Sequence, residues 1–420
     1  MTHSRLAAAC LIVAAAFAPR AQAGAPALIY SFMANGDGAE PAAGLAAGPG
    51  GVLYGAACQD TEVSDAGTIF QLTPPAAGQT DWQFSVLYSF PLDNSQGNCP
   101  EGALLPRPDG SLIGTTASGG PGGFGTVFQL VPPAQQGGAW TETILHAFGL
   151  SRDDGATMFG GMIADQNGTL YGTTVQGGRG CHGDLGCGVV FELQPPASKG
   201  GAWTEKVLHF FHGRTGRAGF PSGDLLLQGK VLIGTTPQGV FTLTPPASGH
   251  GAWVYQMLAV SPALPGLVAT GVTAGADGTL YAMAGQGGSN DTGAIFALHP
   301  PASQGAPWAT EVLHNFGPIE GNTDGMYPYA SLAIDGKGTL FGTVPYGSVN
   351  EGGAVFRLDP PAQQGGAWTD TVLVSFGTGA AVLGNMPVDR PLLQSGALYL
   401  TNSSGGADQH GTVVSVGTHK

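Results

Sequence analysis

Hydrophobic positions along this chain come in short runs rather than on a helical period. From Ser111 to Phe148, one apolar run closes on Gly-Thr-Thr and a glycine-rich break follows. A second run, Gly125 to Leu130, stops at Pro132-Pro133, and a third runs from Trp140 to Phe148. Each is strand-length, rich in β-branched and aromatic residues and bounded by Gly or Pro, which predicts β-strands. Nearly all of the remaining chain repeats this pattern. The middle-strand leucine recurs at Leu53, Leu112, Leu170, Leu232, Leu280, Leu340 and Leu398, in steps of 59, 58, 62, 48, 60 and 58 residues. A period of this kind marks a repeat architecture.

Two spacings are nearly rigid. A Pro pair precedes each of Trp82, Trp140, Trp203, Trp253, Trp308 and Trp368 by seven residues. Eight residues further on stand Phe90, Phe148, Phe211, Phe316 and Phe376, with Ser261 breaking the series. Proline cannot donate to a sheet ladder and so ends the strand, while Trp at a fixed repeat position reads as packing between units. By contrast, the interval from the middle-strand Leu to the first Pro varies between 13 and 25 residues, which separates a scaffold side from a variable side. Leu28 to Phe32 matches a fourth strand with nothing before it, and Gly411 to Val416 a third strand with nothing after it. Complementary halves predict ring closure: an all-β, seven-bladed β-propeller of four-stranded blades in which the N-terminal strand completes the last blade. The blades are expected at about 42–91, 102–149, 159–212, 223–261, 268–317, 329–377 and 391–416 plus 28–33, with the first strand of each lining the channel.

The motif LYGTT, a Gly-rich stretch, GTVFxLxPP, Trp and a closing Phe resembles the GloVer repeat of bacterial "choice-of-anchor" tandem-repeat proteins. The resemblance covers essentially the whole chain after residue 23 and is cleanest at 112–148 and 170–211. It implies an exported repeat protein and carries no catalytic residues to transfer. After Val416 only Gly-Thr-His-Lys remains, so no C-terminal anchor is expected.

Residues 1–23 read as a signal peptide: Arg5, an apolar Leu6 to Ala18, then Ala21-Gln22-Ala23. Export favours disulfides for Cys58, Cys99, Cys181 and Cys187; a metal site at Cys181, His182 and Cys187 lacks the usual spacing. In a propeller the loop after the second strand and the blade-to-blade connection open on one face, which predicts Cys58–Cys99 and Cys181–Cys187 bridges. A net charge of −14, with 10% charged residues, excludes the basic stripe that nucleic acid needs. No segment after the leader is long enough to span a membrane, and a monomer is expected.

For function, the acidic Gly-rich loops at Asp37, Asp154 and Asp324 are candidate binding positions. Calcium is the one cation these loops suggest, but Asx-type turns need the same residues and no EF-hand spacing is present. His146, His209 and His314 share a position filled elsewhere by Tyr30 and Tyr88 and read as packing. Asp224 departs from Gly44, Ala103, Gly161, Gly271 and Ser331 at the equivalent place and puts a carboxylate at the channel. The expected function is a non-catalytic, exported binding or envelope-associated module whose partner is a glycan or envelope protein. The alternative is a propeller enzyme acting on a polysaccharide, which needs paired carboxylates at the channel mouth.

Overall fold

The computed structural model describes residues 25–419 apart from 59–65, 136, 152, 180–185, 199, 213–218, 250, 259–270, 304–305, 364 and 378–381. Ser261, Cys181, His182 and the leader therefore lie outside the described residues. Seven antiparallel blade sheets follow one another, a two-stranded ladder of Gly155–Ala156 with Gln176–Gly177 accompanies the third, and no α-helix occurs among the described residues. Blade 2 is typical, with strands Leu105–Pro106, Leu112–Thr116, Thr126–Val131 and Thr141–Ala147 in that order across the sheet. The last blade takes its outer strand, Ala27–Ser31, from the start of the chain and pairs it with Thr412–Gly417. The fold is a seven-bladed β-propeller closed in this three-plus-one manner.

Blade 7 departs from the four-strand expectation. Its second strand, Ala397–Ser404, pairs with Leu392–Gln394 and also with a separate piece, Asn385–Pro387. The blade thus begins before residue 391, because its lead-in is itself tied to the long second strand.

The core lies between blades, and one aromatic contact repeats there. The Phe that ends a blade meets, edge to face, the Phe in the third strand of the next. Centroid separations are 5.2 Å for Phe90–Phe128, 5.2 Å for Phe148–Phe191, 5.3 Å for Phe211–Phe241, 5.6 Å for Phe316–Phe356 and 5.3 Å for Phe32–Phe70. All ten rings are essentially fully buried. Such pairs add about 0.5–1.5 kcal/mol beyond burial. The third-strand ring lies over the glycine of the Leu-x-Gly motif, so a Cβ at Gly55, Gly114 or Gly342 collides with Phe70, Phe128 or Phe356. Blade 5 follows the copy in which Ser261 replaces the closing Phe, and there the glycine is exchanged for Ala282, opposite Phe296.

Two further contacts stitch the ring. The threonine after the Leu-x-Gly position donates its hydroxyl to the following blade: Thr115 to the Gly160 carbonyl (3.1 Å), Thr173 to that of Gly223 (3.2 Å), Thr343 to that of Asp389 (2.8 Å), and Thr401, which follows Leu400, across the closure to that of Ala43 (3.2 Å). The half-buried tryptophans reach the other way: Trp82, Trp253 and Trp368 meet Tyr399, Tyr171 and Tyr281 of the preceding blade. Trp140 and Trp203 pack against inter-blade clusters in the same manner.

Gly114→Ala should therefore cost about 1–3 kcal/mol by overpacking. Ala282→Gly should cost no more than about 1 kcal/mol, the usual strand Ala-to-Gly difference. Urea denaturation of the two variants beside the parent chain checks this.

Candidate functional site

The connections between blades share one backbone device. Glu40, Cys99, Thr157, Phe220, Tyr327 and Met386 all have positive φ, between 51° and 63°. Five of the six stand directly before a proline. This is a costly conformation for a residue with a side chain, and it persists only where neighbours fix it. Here they do. The Cys99 N–H donates to Ala66 O (2.8 Å) while its carbonyl accepts from Ala117 N (3.0 Å); Thr157 does the same with Phe124 and Val175. The proline that follows packs on the next constraint: Gly67, Gly188, Gly293 and Gly411, all at positive φ before a third strand, have no room for a Cβ beside Pro100, Pro221, Pro328 and Pro41.

Two residues beyond each left-handed position, the chain reaches the axis of the ring. Ala42, Glu101, Phe159, Ser222, Tyr329 and Val388 all line one cavity of about 410 Å³, together with Ala103, Gly160, Gly223, Asp224, Ser331, Asp389 and Ser403. It is the mouth of the channel, on the face where the second-to-third-strand loops also open. The isolated pairings Asn98–Ser118 and Met326–Tyr346 join the two kinds of loop there.

Three carboxylates converge on this cavity. Asp224 lies two residues before the first strand of its blade (Leu226–Gln228), and its Oδ1 accepts from Gly161 N at 2.7 Å. Asp389 accepts from Arg390 N at 2.6 Å and rests against Gly44, where a Cβ would come within 3.1 Å of the carboxyl group. Burial first, and the Asp224 charge second, push the Asp389 carboxyl up to about 7; Arg390 only partly opposes this. Burial also raises Glu101, whose Oε1 lies 3.1 Å from Cys99 Sγ. Phe159 and Tyr329 are 44% and 45% exposed, so two aromatic faces stand above an acidic, hydroxyl-bearing floor.

The other three candidate aspartates lie elsewhere. Asp37, Asp154 and Asp324 occupy equivalent places at the outer blade junctions and fix the connecting turn. Asp37 accepts from Tyr30 Oη (2.6 Å) and the Met33 and Asn35 N–H groups. Asp154 accepts from His146 (3.1 Å) and Gly149 N (3.0 Å), and Asp324 from His314 (3.0 Å) and Gly317 N (3.0 Å). Burial works against the Asp324 charge, but the His314 and Gly317 bonds hold its carboxyl below the usual range. The histidines also pack, edge to face, on Phe148 and Phe316.

Cys58 and Cys99 form a disulfide that joins the second-strand end of blade 1 to the lead-in of blade 2, at the cavity wall beside Glu101. Cys187 is disulfide-bonded as well; Cys181 is outside the described residues. No helix among the described residues is long and apolar enough to cross a membrane.

Reading the repeats in sequence misses Asp389. Its equivalents are Ala43, Gly102, Gly160, Gly223 and Ala330, so an acid there is as much a departure as Asp224. Starting blade 7 at residue 391 leaves it out; aligning Pro387 with Pro41, Pro100, Pro221 and Pro328 finds it. A second cavity, about 350 Å³, lies at the junction of blades 3 and 4, lined by Asp165, Asn167, Tyr171, Lys230 and Trp253 among others. It is built by one junction rather than by the ring.

The repeat organisation agrees with comparison to known proteins. The profile of the Gloeobacter/Verrucomicrobia repeat matches residues 17–185 and 240–419. The chain belongs to this repeat family. Among solved structures, it is similar to virginiamycin B lyase from Staphylococcus aureus, with 12% identity, TM-score 0.51, and 92% of this chain and 97% of that chain covered. It is also similar to the β-propeller domain of Myceliophteria thermophila Cps50 (Swd1), with 10% identity, TM-score 0.50, and 94% and 100% covered. At these identities the likeness is one of fold. No curated protein matches the chain.

Several acids buried between blades are held protonated to unusual pH. Burial pushes Glu142 and Glu205 up to about 7, as it does Asp389. A carboxyl whose folded value is raised stabilises the fold while both states are protonated, and that stabilisation is lost as pH rises through the folded value. The melting temperature should therefore fall as pH rises from about 4.5, near the unfolded carboxyl value, to about 7, and level off above that. His209, held down to about 4 by burial and by His212, changes stability at lower pH, below its ordinary value. Glu142→Gln combined with Glu205→Gln should flatten the slope, as scanning calorimetry across this window would show.

Proposed function

We propose that the protein is an exported, non-catalytic binding module that holds a saccharide of the cell envelope at the mouth of its channel. The observation that carries this reading is the cavity itself. Asp224, Asp389 and Glu101 supply acceptors, Ser222, Ser331 and Ser403 bring hydroxyls, and Phe159 and Tyr329 offer exposed aromatic faces. Few convergent polar groups with apolar stacking surfaces, in a concave site of this size, suit a small polar ligand. Export is supported by the leader-like residues 1–23 and by the Cys58–Cys99 disulfide, which forms and persists in oxidising compartments. The disulfide stiffens the wall that presents Glu101, and a pre-organised site loses less entropy on binding.

A second reading is favoured by one feature. Burial and the neighbouring Asp224 push the Asp389 carboxyl up to about 7, and a raised carboxyl beside a second one is what acid–base cleavage of a glycoside needs.

A glycan array with the full-length mature chain, followed by titration of the hits, tests the first reading. Phe159→Ala should weaken binding about fivefold to tenfold, the equivalent of roughly 1–1.4 kcal/mol, at unchanged melting temperature. Absence of any glycan binding, or binding indifferent to Phe159 and Asp389, removes the proposal. Release of reducing ends from a bound glycan, abolished by Asp389→Asn with binding retained, would establish the enzyme reading instead.

A further inference from the structure

The outer blade junctions hold a second kind of chemistry, distant from the channel. At the junction of blades 2 and 3, His146 and Asp154 face Glu205 of the next outer strand. At the junction of blades 5 and 6, the equivalent residues are His314, Asp324 and Asp370. In each trio the ligand-capable atoms lie within 4.8 Å of one another. In each, the third acid turns an oxygen inward that is wholly buried and has no hydrogen-bond partner, Glu205 Oε1 and Asp370 Oδ1. A second carboxylate aimed at a buried Asp costs free energy unless something positive lies between them. The imidazole Nε2 already meets its Asp oxygen at 3.1 Å in one trio and 3.0 Å in the other. Bonds of about 2.1 Å to a tetrahedral ion set donor atoms roughly 3.4 Å apart, so little movement completes the site.

We propose that these two trios are zinc-class divalent-cation sites, one at each junction, that clamp adjacent blades together. The donor set argues against calcium and magnesium, which take oxygen ligands almost exclusively, whereas one imidazole with carboxylates suits Zn²⁺. The ion replaces the proton shared by His and Asp and satisfies the orphaned oxygen. The chain carries its own controls. The junction of blades 1 and 2 has Tyr88, Gln96 and Glu142 in these places, with Glu142 Oε1 similarly unpartnered. The junction of blades 7 and 1 has Tyr30, Asp37 and Phe84, the last stacked on Tyr30 at 3.9 Å. Neither offers three metal donors.

The test is equilibrium dialysis of the chelator-treated full chain against Zn²⁺, with metal content read per chain and Co²⁺ absorption as an independent probe of coordination. We expect two equivalents, one in Glu205→Gln, one in Asp370→Asn and none in the double variant, while Glu142→Gln keeps two. Each substitution replaces a buried carboxyl group by an amide of nearly the same shape, so the fold should survive; circular dichroism verifies it. Failure to take up Zn²⁺, or uptake unchanged by both substitutions and so held by other histidines, would overturn the proposal.

Discussion

The edge-to-face contact between a closing Phe and the third-strand Phe of the next blade is the interaction on which the rest of the structure depends. A four-stranded blade buries too little surface to stand alone, so its stability comes from its neighbours. The contact fixes how close and at what angle they sit. It also explains the glycine beneath the ring, since any side chain there would push the blades apart. The inter-blade Thr hydroxyls and Trp rings then act at a separation already set by the phenylalanines. Closure through Ala27–Ser31 covers the edge of Thr412–Gly417 and supplies the last blade with its outer strand.

From that spacing follows the site. Each connection must turn sharply to carry the chain from the rim of one blade to the axis of the next. A strained, left-handed residue makes that turn at six junctions, followed by proline at five of them. Because the turn is fixed, the residue two positions later always arrives at the channel mouth. Its identity is free to vary, from Ala42 to Glu101 to Phe159. The scaffold thus presents a ring of interchangeable side chains, which is how a repeat protein gains a ligand site without altering its packing. The carboxylates placed there are partly desolvated and near one another, and this raises Asp389.

The period, the Pro–Trp–Phe spacings and the complementary ends made the propeller legible in sequence, since each reports a local rule repeated in order. Asp224 was legible as a broken repeat. Asp389 was not, because its blade begins with an extra paired segment, Asn385–Pro387, that shifts the apparent start. One partner of Asp224, Gly161, belongs to the preceding blade, but Asp389 belongs to blade 7, and only ring closure makes the two acids neighbours. The loop aspartates show the reverse problem. Asp37, Asp154 and Asp324 look alike in sequence, yet what each faces comes from the following blade: Phe84, Glu205 or Asp370. The histidines read as packing do pack, and two of them, His146 and His314, also bond to Asp154 and Asp324.

The coupling of two carboxyl groups from distant blades at the channel mouth can be read by following the Asp389 side-chain ¹³C resonance through a pH titration of the full-length chain. A midpoint at about 7 is expected, moving down in Asp224→Asn, where the neighbouring charge is gone. A midpoint at about 4, the ordinary value, in both proteins would contradict it.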